Sequence, residues 1–303
     1  MFRNLTAVAL LLFCPFLSNE GFSQNKPASG NTTSEKVPSL SQQQIQELFR
    51  KVAENDLQNN KKERDYTYTE RREEHKLDGQ GRVKSTEIKT FEIMQLYGEP
   101  VERLVSKDDE PLSAKDASKE DQKIQKLIDQ RKSESPENRR KREDKEEKEQ
   151  EQGRQFVREV ADAYNFRLVG IEALDGRPTY VIDAEPRPGY VPHLKDAKFL
   201  PKFRFRAWID KEESQWKKLD IQCIDTVSVG LILARLHKGS RIVLEQTRVN
   251  NEVWLPQHVA LKLDARVALL KEYNIESDLA YSNYKKFHSD TKIVVGGEAP
   301  PPP

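Results

Sequence analysis

Histidine and acidic side chains are the residues of this sequence that could carry out catalysis or hold a metal ion. The five histidines are dispersed, and none stands with a cysteine or a glutamate at the spacing of a metal site. They are His75, His193, His237, His258 and His288. The chain also lacks a Gly-x-Ser-x-Gly elbow, a Gly-Lys-Ser/Thr phosphate loop and a dinucleotide fingerprint. The sequence therefore predicts no catalytic residue, no metal and no cofactor, and a protein that is not an enzyme.

The two cysteines carry little chemistry of their own. Cys14 lies in the apolar N-terminal stretch, and Cys223 lies in a strand of alternating apolar residues. That position favours Cys223 as a small buried hydrophobic residue rather than a nucleophile. Once the N-terminal stretch is removed, no intramolecular disulfide is possible, so we expect stability to come from a packed core.

The N-terminus predicts export. Arg3 precedes a short apolar run at residues 5–17, and Gly21 and Ser23 provide small residues before a cut. This layout is typical of a secretory signal peptide over residues 1–23, and the run is too short to span a bilayer. Phe13 and Pro15 flank Cys14 where lipidation needs a small residue, so we expect no lipid anchor there. The predicted location is the periplasm.

Charge is high but balanced, with 51 Lys and Arg against 50 Asp and Glu. A net charge near zero argues against a nucleic-acid binder, which usually carries a basic excess. Much of the charge lies in an insertion at about residues 113–155, where no apolar side chain occurs between Asp129 and Gln155. Opposite charges four residues apart predict a solvated helix, interrupted at Pro136. It is either an exposed charged arm or an arm that docks an envelope protein.

The remaining elements are one helix and a series of β-hairpins. Ser41 is a candidate N-cap for an amphipathic helix that continues to Ala53. Turn sequences such as Asp175-Gly176-Arg177 and Asn250-Asn251 join strands into an antiparallel meander. We expect a flexible lead at 24–40, one domain at 41–289 and a disordered tail at 290–303. The predicted class is α+β, mainly β.

The strands alternate apolar and polar residues, so each strand has one apolar face. A twisted antiparallel sheet of this kind encloses its apolar face by curling into an unclosed half-barrel. The predicted cavity wall is formed by Phe203, Phe205, Ile209, Leu219, Ile221, Leu261, Leu263 and Val267. The pattern leaves open whether side chains fill the curl or a ligand occupies it.

A second apolar segment runs from Val229 to Gly239 with consecutive rather than alternating apolar residues. We interpret it as a short lid helix that ends at Gly239 and presents Leu231, Ile232 and Leu236 to the cavity. The competing interpretation is a fully buried strand.

Three short motifs resemble the periplasmic lipoprotein-carrier superfamily, which includes the outer-membrane lipoprotein-sorting proteins LolA and LolB. They are Ala207-Trp208-Ile209-Asp210-Lys211, Glu252-Val253-Trp254-Leu255-Pro256 and the segment Tyr281 to Phe287. The resemblance spans about residues 41–287 outside the charged insertion. It implies an unclosed β-barrel under a helical lid, with a hydrophobic cavity that accepts acyl chains.

Two functions follow from these features. The first is a periplasmic carrier or sensor that binds lipid or the acyl chains of lipoproteins. The second is a non-enzymatic envelope scaffold with a filled core, whose charged arm docks a protein partner.

Overall fold

The computed structural model describes residues 40–97, 99–229, 234–267 and 271–287. The predicted signal peptide, the predicted lead as far as residue 39 and the predicted tail lie outside these residues. The helices are α1 (Gln42–Glu63), α2 (Ala114–Lys132) and α3 (Pro136–Ala163). The strands are β1 (Tyr66–Leu77), β2 (Val83–Leu96), β3 (Glu99–Lys107), β4 (Glu110–Pro111), β5 (Tyr164–Leu174), β6 (Arg177–Pro186), β7 (Phe203–Asp210), β8 (Trp216–Cys223), β9 (Val227–Val229), β10 (Ala234–Leu236), β11 (Arg241–Val249), β12 (Val253–Val267) and β13 (Lys271–Lys286).

The described strands form one antiparallel sheet in the order β4-β3-β2-β1-β13-β12-β11-β8-β7-β6-β5. Off this path, β10 pairs with the end of β12, and β9 pairs with β10. Most neighbouring strands in the sheet are joined by hairpins, whose turn residues accept positive φ. Asp175 and Gly176 have φ of 50° and 72°, and Asn250 and Asn251 have φ of 51° and 56°. The predicted antiparallel meander is therefore confirmed at these turns.

The sheet curls without closing. Its two ends are β4–β3 and β5, and these strands do not pair with each other in the described part of the chain. The largest core cluster lies on the concave face and joins residues from β1 and β2 to residues from β5 and β6. The predicted α+β architecture, an unclosed half-barrel with helices, is confirmed.

Helix α1 begins where the sequence predicts, with a capping box. Ser41 accepts a hydrogen bond from the Gln44 backbone N–H, and the Gln44 side chain accepts one from the Ser41 N–H. The helix then buries Ile45, Phe49 and Val52 on one face against the concave side of the sheet. It continues ten residues beyond the predicted end at Ala53, to Glu63.

The charged insertion consists of α2 and most of α3, as far as about residue 155. Ile124 of α2 is buried with Met94 and Leu96 of β2. Since Ile93 belongs to the concave core, the adjacent Met94 places α2 on the opposite, outer face. Pro136 occupies the first turn of α3, so it starts a new helix where the sequence predicted an interruption.

Helix α3 connects the two ends of the sheet. Near its start, Arg142 lies 3.9 Å from Glu99 of β3. At its C-terminal end, Phe156 joins the concave core and Ala163 leads directly into β5. Its 28 residues give a length of about 42 Å. Described side chains between residues 143 and 149 are exposed, which fits the predicted solvated helix.

The predicted lid helix is wrong where the chain is described. Val227–Val229 and Ala234–Leu236 are short strands that pair with each other, and Leu236 pairs with Ala265 of β12. Leu236 is buried with Phe203, Cys223 and Val227. Leu231 and Ile232 lie outside the described residues. Consecutive apolar residues suit a strand as well as a helix, and pairing to β12 decides in favour of the strand.

Candidate ligand cavity

An apolar cavity of about 90 Å³ lies between the concave face of the sheet and the two helices above it. Its floor is formed by β7, β8 and β11, and its roof by α1 and the C-terminal end of α3. The residues that line it are Phe49, Val52, Phe156, Val157, Val160, Tyr164, Phe199, Leu200, Phe203, Phe205, Ala207, Ile209, Trp216, Leu219, Ile221 and Ile242.

Five of the predicted wall residues line this cavity, namely Phe203, Phe205, Ile209, Leu219 and Ile221. Two others lie elsewhere on the concave side. Leu261 packs against the main core, and Leu263 packs against the cluster around Phe203 and Leu236. Val267 pairs with Ala234 at the end of β12. The cavity therefore gathers the predicted residues of β7 and β8 and leaves out Leu261 and Leu263 of β12.

The sequence did not identify the roof of the cavity. Phe49 stacks on Phe166 with ring centroids 4.6 Å apart and meets the edge of Phe205 at 5.9 Å. Phe156 of α3 lies 6.0 Å from Phe199. The apolar stripe of α1 could have indicated that this helix packs on the sheet, but local periodicity does not reveal which strands a helix covers.

Two glutamines of α1 hold the helix against the sheet edge and against α3. The Gln42 side chain donates to the carbonyl of Tyr164 at 3.0 Å and accepts from the N–H of Phe166 at 2.8 Å. These contacts pair part of the free edge of β5. Gln46 donates to the carbonyl of Ala161 near the end of α3 at 3.0 Å. Both helices of the roof are thus connected by amide hydrogen bonds.

The C-terminal half of α1 carries a row of polar side chains that bond to the ends of the strands. Asn59 is buried, donating to the carbonyl of Trp254 at 2.6 Å and accepting from its N–H at 2.7 Å. Asn55 donates to the carbonyls of Glu213 and Ser214 at 2.7 and 3.0 Å. These bonds fix the helix at the end opposite to Gln42.

Asp56 belongs to the same row and touches the cavity wall through Trp216. Its carboxylate accepts from the Trp216 indole N–H at 2.9 Å and from Gln215 at 3.2 Å. Burial raises the pKa of Asp56, and the hydrogen bonds oppose that rise. The carboxylate therefore orients the Trp216 ring that lines the cavity.

The polar atoms of the lining are satisfied within the protein. The Tyr164 hydroxyl donates to the carbonyl of Leu200 at 2.7 Å and lies 3.1 Å from that of Phe203. Burial raises the pKa of this tyrosine, so its hydroxyl stays neutral. None of the lining residues is ionisable near neutral pH. What the cavity can do chemically is exclude water from hydrocarbon.

The motif residues that carry the family resemblance have structural contacts. Asp210 accepts from the backbone N–H groups of Glu212 and Glu213 and forms an ion pair with Arg177 at 2.6 Å. The Trp254 indole donates to Glu213 at 2.7 Å. These bonds tie together the hairpin turns at one end of the sheet.

Within the described ranges, no group of three or more His, Cys, Asp or Glu side chains is placed to hold a metal ion. Among those same residues, none of the helices combines the length and apolarity needed to cross a membrane.

Comparison with known proteins gives matches among solved structures only. No family model matches the chain, and no curated protein matches it. The chain is similar to a putative outer membrane lipoprotein-sorting protein domain from Vibrio parahaemolyticus, with 12% identity, 80% of this chain and 95% of the other covered, and a TM-score of 0.33. A LolA superfamily protein from Nitrosomonas europaea shows 10% identity, coverage of 80% and 93%, and a TM-score of 0.27.

The MucA/MucB complex of Pseudomonas aeruginosa gives 11% identity, coverage of 77% and 92%, and a TM-score of 0.22.

Proposed function

We propose that this protein is a periplasmic carrier or sensor that binds the alkyl chains of lipids or lipoproteins on its concave face. The observation that supports the proposal is the apolar cavity under α1 and α3. Burying a methylene group contributes about 0.8 kcal/mol without any fixed hydrogen bond, so such a site favours hydrocarbon of varied length. The protein would act by binding rather than by catalysis.

Binding of a complete chain requires the roof to move. Ligand pockets commonly measure about 300–1,000 Å³, whereas this cavity holds about 90 Å³. The side chains that line the cavity above β7 and β8 belong mainly to α1 and α3, including Phe49 and Phe156. In the proposed cycle the helices move away from β7 and β8 as the chain enters, and they return when it leaves.

Displacement of a fluorescent fatty acid tests this function when the unsubstituted protein is compared with a variant whose cavity is blocked. Ile221→Trp places a larger side chain into the space between β8 and the roof. We expect the variant to stay folded and to lose at least about ten-fold in affinity, since it removes space for several methylene groups. Val243→Trp is the matched control, because Val243 lies on β11 beside the lining residue Ile242 and points to the opposite face. Equal binding by both variants would contradict the proposal.

A second candidate function is a scaffold whose charged helix docks a protein partner. The observation that favours it is the exposed middle of α3, in which acidic side chains outnumber lysines between residues 143 and 151. Deleting the whole insertion is unsuitable as a test because Ile124 of α2 is buried against β2.

The test of this second function keeps both helices and reverses exposed charges only. Glu143→Lys and Glu147→Lys change the surface of α3 without touching the cavity. We expect a docking partner, captured by crosslinking in the periplasm, to be lost from this variant while fatty-acid binding is unchanged. Retention of the same crosslinked partner would rule out docking through this part of α3.

A further inference from the structure

The concave face changes character from one end of the sheet to the other. Following the strand register gives a row of residues that share this face, one from each successive strand. Its first part is apolar and consists of Phe166, Ala184, Phe205, Ile221, Ile242 and Leu261. The row then continues through Ser277 of β13 to Glu74 of β1 and Glu87 of β2. Beyond β12, the concave face therefore becomes polar along this row.

A neighbouring row makes the same change one strand later, at β1. It passes through Ala207, Leu219, Leu244, Val259 and Leu279 and then reaches Arg72 of β1 and Lys89 of β2. From Ile242 at the cavity to Glu74 the distance is three strand spacings, about 14 Å. A medium-length alkyl chain covers that span.

The polar end of the concave face, which lies on β1 and β2, contains side chains that bond to one another rather than only to solvent. Glu70 is buried and accepts from Arg72 at 2.8 Å, and Arg72 also lies 3.4 Å from Glu102. The Arg72 guanidinium stacks over Phe91, 4.7 Å from the ring centre. The Tyr281 hydroxyl lies beside Glu70 in the register, is buried, and has no hydrogen-bond partner that meets normal geometry.

Glu74, on the same face, also has an oxygen without a hydrogen-bond partner. Its Oε1 atom is buried without a hydrogen bond. Arg72 bonds to Glu70, and Lys89 pairs with Glu87 at 2.6 Å, while Lys76 acts on Glu74 only through its charge. Burial first and the adjacent Glu87 second raise the pKa of Glu74 to about 7. A buried carboxylate oxygen with no donor costs free energy that a ligand donor would recover.

We propose that the polar end of the concave face binds the head group of an amphiphile, that this head group is an amine, and that Glu74 accepts its hydrogen bond. The alkyl chain then lies along the apolar rows toward the cavity. This inference rests on the proposed function, since it assigns the head group of the ligand whose chain the cavity holds. A carboxylate head group is disfavoured, because ionised Glu74 would repel it and the nearby Lys89 and Arg72 are already paired with Glu87 and Glu70.

Titration calorimetry with three ligands of equal chain length tests the assignment. The ligands are decylamine, decanol and decanoic acid, each kept below its micelle concentration. The titrations are run at about pH 8, where Glu74 is ionised. We expect decylamine to bind at least about ten-fold more tightly than decanol, as a charge-assisted hydrogen bond allows. Glu74→Gln should reduce that preference to less than about three-fold. Glu73→Gln is the matched control, because Glu73 is the next residue on β1 and faces the opposite side.

The outcomes separate the two proposals. If all three ligands bind equally, or if decanoic acid binds best, the amine assignment is wrong while chain binding stands. If Glu74→Gln keeps the full preference for decylamine, Glu74 is not the acceptor and the inference is overturned. If none of the ligands binds, both the amine assignment and the proposed function are wrong.

Discussion

Replacing Phe49 by alanine is the substitution that most directly perturbs the roof of the cavity. The ring is 6% exposed, stacks on Phe166 and meets the edge of Phe205. Truncating a buried phenylalanine costs about 3–5 kcal/mol, of which two aromatic contacts account for about 1–3. Because the ring already adjoins the cavity, we expect the lower part of that range, about 3–4 kcal/mol.

Urea unfolding followed by circular dichroism measures this loss, and ligand addition measures its recovery. Decylamine should restore more stability in Phe49→Ala than in the unsubstituted protein, because the enlarged cavity accommodates a chain with less movement of the roof. Lys51→Ala, at an exposed position of the same helix, is the control and should change stability by less than about 0.5 kcal/mol. A loss below about 1 kcal/mol in Phe49→Ala would refute the packing of α1 over the cavity.

Three further predictions concern stability. Asn59→Ala should cost about 3 kcal/mol in urea unfolding because it leaves the buried N–H and carbonyl of Trp254 without partners, and a loss under 1 kcal/mol would show that α1 is not fixed there. His258 donates hydrogen bonds to the carboxylates of Glu245 and Asp278, and these bonds, the one to Glu245 first, raise the pKa of His258 to about 9. The imidazolium therefore contributes stability below about pH 6.5 that is lost as the pH rises toward 9, and His258→Ala should remove this dependence from a thermal unfolding series. Gly176→Ala should cost about 1 kcal/mol in the same unfolding assay because φ is 72° there, and a neutral result would mean that the turn adapts.

The hairpins were predictable because their determinants are local. Asp175-Gly176 and Asn250-Asn251 accept positive φ, and the alternation on each side fixes which face is apolar. The same alternation correctly grouped Phe205, Ile209 and Ile221 on one face of neighbouring strands.

What the sequence could not predict depends on contacts between distant segments. The segment that includes Leu236 forms a strand rather than a helix because it pairs with β12, a contact that consecutive apolar residues do not reveal. Leu261 lies outside the cavity because α1 and α3 dock over β7 and β8. The polar end at Glu74 and Arg72 appears only when register places β1 beside β13.

The central claim is that an alkyl chain enters the cavity and touches Trp216, which quenching by a chain-brominated fatty acid measures directly. Trp216 lines the cavity, whereas Trp208 lies on the opposite face of the sheet, where its indole donates to Glu172. We predict quenching that persists in Trp208→Phe and is largely lost in Trp216→Phe. Quenching that survives in Trp216→Phe, or that is absent from the unsubstituted protein, would contradict binding in this cavity.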